Sequence, residues 1–202
     1  MKILRTKHDL KVAISKVRKL GFVPTMGSFH NGHISLIKKS KNKCYKTLVS
    51  IFINPKQFNK KKDFINYPRN LNIDLKILKK LKVNFVYMPT KDEIYAFKRQ
   101  KKITLSKKQK ILCAKYRKGH FEGVIDVMDR LTKIIMPKKI FMGEKDFQQL
   151  YLVKKFLERN YKVKIISCKT IRDKNKVALS SRNFLLDKSN INVAANIYKK
   201  LV

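Results

Sequence analysis

Short apolar runs of strand length alternate along this chain with stretches whose apolar residues recur at helical spacing. That alternation predicts an α/β fold, a parallel sheet with crossover helices. Leu10, Ile14 and Val17 fall at i, i+4 and i+7, which predicts a first helix ending near Gly21. Residues 22–25 read as a short buried strand, followed by a helix over 32–41. Residues 47–53 (TLVSIFI) form the clearest strand, closed by Asn54-Pro55. Leu71, Leu75, Leu78 and Leu81 make a helical stripe, and 83–88 read as a strand stopped at Pro89. Residues 98–119 are strongly basic and weakly patterned, an excursion with no assigned structure. Val124, Val127, Met128, Leu131 and Ile135 mark one helical face, then come a strand at 139–142 and a helix striped by Phe147, Leu150, Val153 and Leu157. A strand at 163–167 and a closing helix from Asp187 onward complete the pattern.

With 202 residues, 44% of them hydrophobic, the chain is long enough for a real core. Its longest apolar run, 48–53, is interrupted by Ser50 and falls far short of the about 20 residues that a membrane-spanning helix needs. No secretory leader is expected from Met1-Lys2-Ile3-Leu4-Arg5. Cys44, Cys113 and Cys168 are scattered, without a C-x-x-C pair, and suit a reducing cytoplasm. The net charge of +37 would ordinarily suggest a polyanion partner. However, 41 Lys against 9 Arg, with 21 Ile, 14 Asn and only 6 Ala, reads as inflation of residues with A- and T-rich codons. The lysines read as diffuse rather than gathered in an arm or stripe. No specific nucleic acid is expected, only salt-sensitive stickiness toward RNA.

Three polar clusters each follow a predicted strand: residues 26–33 (MGSFHNGH), 54–58 (NPKQF) and 143–149 (GEKDFQQ). Ligands in open parallel sheets bind beyond the carboxyl ends of the strands, so these clusters should converge on one crevice. His30 and His33, two of only four histidines, flank Asn31-Gly32 at a helix start, where unpaired N–H groups and a partial positive charge favour phosphate. Two imidazoles there could donate hydrogen bonds to phosphoryl oxygens; the plainer reading is a capping turn that contains histidines. Gly27 and Gly32 would allow close backbone approach. Lys145 and Gln149 share a helix face, the first a point charge for phosphate and the second a donor and acceptor for a hydroxy acid. Asn54 and Gln57 offer uncharged amides, or simply an Asn-Pro turn. A fourth cluster, 179–183 (LSSRN), supplies Ser180, Ser181 and Arg182. Asp74 could meet a phosphate-bound Mg²⁺ or be an ordinary surface carboxylate, and His120 is read as structural.

Taken together, PTMGSFHNGHISLI, SIFINPKQF, YPRNLNIDL, GHFEGV, FMGEKDFQQL and ALSSRNFLL closely resemble, in order and spacing, the pantothenate synthetase (pantoate–β-alanine ligase) family. The resemblance implies a Rossmann-like sheet of the H-x-G-H nucleotidyltransferase type. It implies an AMP-forming ligation of (R)-pantoate with β-alanine through a pantoyl-adenylate, with ATP as substrate and Mg²⁺ as its companion. It assigns ATP to Met26, Gly27, Ser28, Phe29, His30, Asn31, Gly32 and His33, to Gly143, Glu144, Lys145 and Asp146, to the backbone at Ile171, and to Leu179, Ser180, Ser181 and Arg182. His33 is the implied proton donor, with His30, Lys145 and Arg182 beside it in catalysis. Gln57 and Gln149 would hold pantoate, and Gln57 the β-alanine as well. A homodimer is implied, since the LVSIFINPKQF segment is present. Residues 1–170 would form the nucleotide-binding domain and 171–202 the LSSRN loop with a remnant of a C-terminal domain otherwise expected to be absent. Lys56 and Lys118 replace an expected apolar residue and a proline, and Asp126 an expected small hydroxyl residue that would be awkward if buried. The other reading is a degenerate or partial synthetase acting mainly as a basic nucleotide- or RNA-binding protein.

Overall fold

A computed structural model describes residues 1–97 and 101–201. In chain order the elements are β1 (Lys2–Leu4), α1 (Lys7–Ile14), β2 (Leu20–Thr25), α2 (Asn31–Lys43), β3 (Lys46–Ile51), α3 (Lys61–Ile65), α4 (Leu71–Lys80), β4 (Phe85–Tyr87), α5 (Lys91–Tyr95), α6 (Cys113–Tyr116), α7 (His120–Ile135), β5 (Lys139–Gly143), α8 (Phe147–Asn160), β6 (Lys164–Cys168) and α9 (Lys188–Leu201). Single 3₁₀ turns occur at Pro55–Gln57, Lys107–Gln109, Glu144–Asp146 and Ser181–Leu185.

The six strands form one all-parallel sheet in the order β1-β4-β3-β2-β5-β6. Neighbouring residues on the central strands serve opposite faces. Phe22, Leu48 and Ile140 pack with α1, α7 and α8, while Val23, Val49 and Phe141 pack with α2 and α4. A strand buried on both sides has to be apolar throughout, which is why TLVSIFI runs without alternation.

Strand order reverses between β2 and β5, the point where doubly wound sheets open a crevice. The register shows the opening. β2 pairs β3 along its whole length, from Leu20↔Lys46 to Thr25↔Ile51, but pairs β5 only at Gly21↔Lys139 and Phe22↔Ile140. Beyond those pairs the two strands part. Pro24, which has no N–H for a ladder, lies where pairing with β5 has already ended.

The helix read from Leu10 to near Gly21 stops at Ile14. The chain tightens there through a Val17 N–H to Ile14 carbonyl bond of 2.9 Å, which still brings Val17 onto the core. β1, α3 and α5 escape the sequence reading, being three to five residues long and too short to show a period. Of the basic excursion, residues 98–100 lie outside the described residues. The remainder holds the turn at 107–109 and α6, and buries Leu105 and Ala114. The closing helix is α9; residue 202 lies outside the described residues. β3 is an interior strand buried from Thr47 to Ser50, and the segment that follows it, 51–58, comes partly to the surface.

Exposed lysines are spread over the described residues, and one helical side of the sheet shows how little acid balances them. On the α2/α4 side of the sheet, Lys38, Lys41, Lys43, Lys76, Lys79 and Lys80 are exposed, and the only acidic residue of either helix, Asp74, is buried.

Candidate active site

The first loop leaves β2 through two left-handed residues, Gly27 (φ 80°) and Ser28 (φ 53°). Asp74 of α4 holds this turn from beneath: one carboxylate oxygen accepts the Ser28 N–H at 2.7 Å and the other the Phe29 N–H at 2.8 Å. Gly27 is required, since a Cβ there would lie 2.8 Å from the Asp74 carboxylate, on top of the positive φ. Thr25 Oγ1 donates to the Ser50 carbonyl and accepts the Gly27 N–H, completing the anchor.

The turn delivers two histidines to the start of α2. His30 Nδ1 accepts the Gly32 N–H at 3.1 Å, and His33 Nδ1 accepts the His30 N–H at 3.4 Å. An imidazole nitrogen that accepts carries no proton, so each ring bears its hydrogen on Nε2. The ring centroids are 4.1 Å apart. Burial, then the neighbouring His30 and Lys145, push His33 down to about 3. Burial and Lys145 also lower His30, with Asp146 opposing. Both rings are neutral at neutral pH, and each relays a helix-end N–H through the ring to an Nε2–H donor. The capping reading holds for both rings, and the same contacts leave each Nε2–H as the ring's donor.

Past the point where β2 and β5 separate, Gly143 leads into the turn Glu144–Asp146. Lys145 Nζ lies 3.0 Å from Asp146 Oδ1, with its side chain 35% exposed. Gln149 follows one helical turn later and lines the same cavity of about 280 Å³ as His30, His33 and Lys145.

The third segment is tied down by Asn54, 1% exposed. Its Oδ1 accepts from Tyr95 Oη (2.8 Å) and the Lys56 N–H (3.2 Å); its Nδ2 donates to Gln57 Oε1 (3.3 Å) and the Gly123 carbonyl (3.2 Å). With its oxygen engaged, Gln57 turns Nε2 toward Met26 Sδ, 3.0 Å away. His120, buried, bonds the Gln57 carbonyl through Nδ1, the structural role read from sequence, and it also lines the cavity. α7 approaches this turn on Gly123, where a Cβ would collide with the Lys56 carbonyl. Beyond it, Val124, Val127, Met128 and Leu131 form an apolar wall.

The fourth segment is stitched onto the others. Ser181, buried, donates to the Ser28 carbonyl at 3.0 Å. Arg182 grips Asp63 of α3 with two bonds, Nε–Oδ1 3.0 Å and a terminal nitrogen to Oδ2 2.9 Å, and lies over the Tyr67 ring. Leu179 N–H bonds the Ile171 carbonyl, which places both backbones on the cavity.

Most expected residues therefore meet at one cavity: Met26, His30, Gly32 and His33; Gln57; Gly143, Lys145, Asp146 and Gln149; Ile171 and Leu179 to Arg182. The corrections have clear causes. Asp74 is 2% exposed with both oxygens on backbone N–H groups, so it shapes the loop and does not face a phosphate-bound Mg²⁺. Ser28 and Phe29 are buried, and Gly27, Asn31 and Glu144 do not line the cavity. Ser181 spends its hydroxyl on the first loop, and Arg182 is already matched by a carboxylate. The awkward Asp126 is paired instead: Arg130 Nε lies 3.0 Å from Oδ1 and Lys56 Nζ 3.9 Å from Oδ2, so two of the departures from the family pattern face each other. Sequence reasoning missed Tyr67, Arg117 and Asp63, which stand among the quoted YPRNLNIDL and GHFEGV stretches or just outside them but carry no spacing of their own.

The model of the Pantoate-beta-alanine ligase family matches residues 2–202. The chain belongs to the pantoate–β-alanine ligase family. The pantothenate synthetase of Azobacteroides pseudotrichonymphae genomovar. CFP2 is 42% identical over 207 residues, covering all of this chain and 74% of that protein. That of Francisella tularensis subsp. novicida is 39% identical, covering 98% and 77%. Among solved structures, the pantoate-beta-alanine ligase from Francisella tularensis, complexed with beta-gamma ATP and beta-alanine, matches with a TM-score of 0.93 at 39% identity, covering 98% of this chain and 78% of that one. The Thermus thermophilus enzyme matches at 0.93 with 31% identity, covering 98% and 72%. Solved pantoate–β-alanine ligases thus share this fold.

Proposed function

We propose that the chain catalyses the ATP-dependent condensation of (R)-pantoate with β-alanine to pantothenate, releasing pyrophosphate and AMP. The observation that carries the reading is the meeting of His30, His33 and Lys145 with Gln57 and Gln149 where β2 and β5 separate. Residues 1–170 act as the nucleotide-binding unit, and 171–202 bring the LSSRN segment to it.

In the first step a pantoate carboxylate oxygen attacks the α-phosphorus of ATP, and the bond to pyrophosphate breaks. Negative charge grows on the phosphoryl oxygens in that transition state. The two Nε2–H groups, the Lys145 ammonium and the N-terminal end of α2 stabilise it more than the ground state. Being neutral, His33 serves as a hydrogen-bond donor rather than as a reservoir of protons. Gln57 and Gln149 hold pantoate, and the α7 wall of Val124, Val127 and Met128 receives its hydrocarbon. Ile171 and Leu179 present backbone to the nucleotide, Ser180 closes over its phosphates, and Arg182 joins them on release from Asp63. In the second step the β-alanine amine attacks the acyl carbon, the C–N bond forms, AMP leaves and the amine loses a proton. Positioning by Gln57 carries most of this step.

Among the described residues no group of three His, Cys, Asp or Glu side chains could hold a metal ion. We extend the reading to a homodimer in the cytoplasm; three free thiols suit a reducing compartment.

Pyrophosphate release with ATP and pantoate, with and without β-alanine, tests the function. The reading expects release with pantoate alone and full turnover to AMP once β-alanine is added. His33→Ala should lower the rate at least tenfold. RNA binding without any pyrophosphate release would favour the degenerate-synthetase reading instead.

A further inference from the structure

The cavity wall carries two guanidinium groups, and only one has a counter-ion. Arg182 is held bidentately by Asp63. Arg117 lines the same cavity, yet among the described residues its side chain makes no hydrogen bond and no ion pair. Its backbone is fixed nonetheless. The Arg117 N–H bonds the Cys113 carbonyl at 2.9 Å, and the Arg117 carbonyl accepts the His120 N–H at 3.1 Å. Asn59 Nδ2 holds the Lys118 carbonyl at 2.7 Å, and His120 in turn bonds the carbonyl of Gln57. Arg117 is thereby anchored to the turn that carries Gln57.

Electrostatics make the missing partner plain. Burial and then the Arg182 charge disfavour the charged form of Arg117, opposed only by Asp63, Cys113 and Asp146. Asp63 is already committed to Arg182, and Asp146 lies against Lys145. Arg117 is exposed at the cavity wall beside the like charge of Arg182, and its planar fork matches a carboxylate bidentately.

We propose that Arg117 binds the carboxylate of β-alanine and so selects an amine that carries a carboxylate two methylenes away. This rests on the ligase reading, in which Gln57 marks the β-alanine position: the amine points from Gln57 toward the acyl carbon, and the carboxylate trails toward the rim where Arg117 stands.

Equilibrium titration of the ATP-saturated protein, followed by NMR, tests the assignment without relying on turnover. β-Alanine and propylamine, the amine without a carboxylate, are compared on the wild type, Arg117→Gln and Arg117→Lys. Arg117→Gln should weaken β-alanine at least tenfold, Arg117→Lys should recover part of that loss, and propylamine should bind all three alike. Unchanged β-alanine affinity in Arg117→Gln overturns the proposal, as does a wild type that binds β-alanine no better than propylamine. Equal weakening of both amines overturns it in favour of a structural role, and weakening of ATP alone makes the anion a phosphate. The ligase reading fails separately, through absence of pyrophosphate release by the wild type.

Discussion

The neutral state of His33 has a consequence for stability that can be measured. In the unfolded chain this imidazole titrates near 6.5; in the folded protein burial, His30 and Lys145 push it down to about 3. As pH falls below 6.5 the unfolded chain takes up a proton that the folded protein refuses, so stability is intact above that pH and is withdrawn between 6.5 and about 3. The slope is about 1.4 kcal/mol per pH unit, hence about 2 kcal/mol between pH 6.5 and pH 5. Urea unfolding of the wild type and His33→Gln at those two pH values isolates this contribution, because His30, His120 and the carboxylates titrate in both. The wild type should lose about 2 kcal/mol more than the variant. Equal losses would mean that His33 protonates freely in place, and the argument for a neutral Nε2–H donor would fall.

Asp74→Asn keeps the shape but turns one acceptor into a donor facing a backbone N–H of Ser28 or Phe29; unfolding measurements should show a loss of about 2 kcal/mol, and calorimetry weaker ATP binding. Asn54→Ala removes the groups that orient Gln57 and leaves the Gly123 carbonyl and Tyr95 hydroxyl short of a partner, so the KM for pantoate should rise several-fold with a stability loss of about 2–3 kcal/mol. The lysines of α2 and α4 give retention on an RNA or heparin matrix that falls with salt; replacing Lys41 and Lys76 with Glu should weaken that retention more than the same change at Lys154 and Lys155 of α8.

The fold was legible because both faces of the sheet are covered. That makes the central strands continuously apolar and leaves the helices striped, and both signals survive a lysine-rich composition. β1 escaped because three residues with only Leu4 buried show no period. The site was legible where polar clusters follow strands, since topology alone brings those loops together. What could not be read was which side chains face the ligand and which hold the loops. Asp74 and Ser181 have the chemistry of ligand-binding groups, yet their partners are backbone atoms from distant segments, Ser28 and Phe29 for one and Ser28 for the other. The Asp63–Arg182 pair joins residues 119 positions apart, and nothing local marks either as the other's partner. Asp126 looked misplaced until Lys56 and Arg130 stood opposite it.

An acyl-adenylate formed at this crevice leaves an isotopic record. With pantoate labelled with oxygen-18 in its carboxylate, ATP and β-alanine, the account predicts that the AMP produced carries one labelled oxygen in its phosphate. Unlabelled AMP, or ADP in its place, would contradict it.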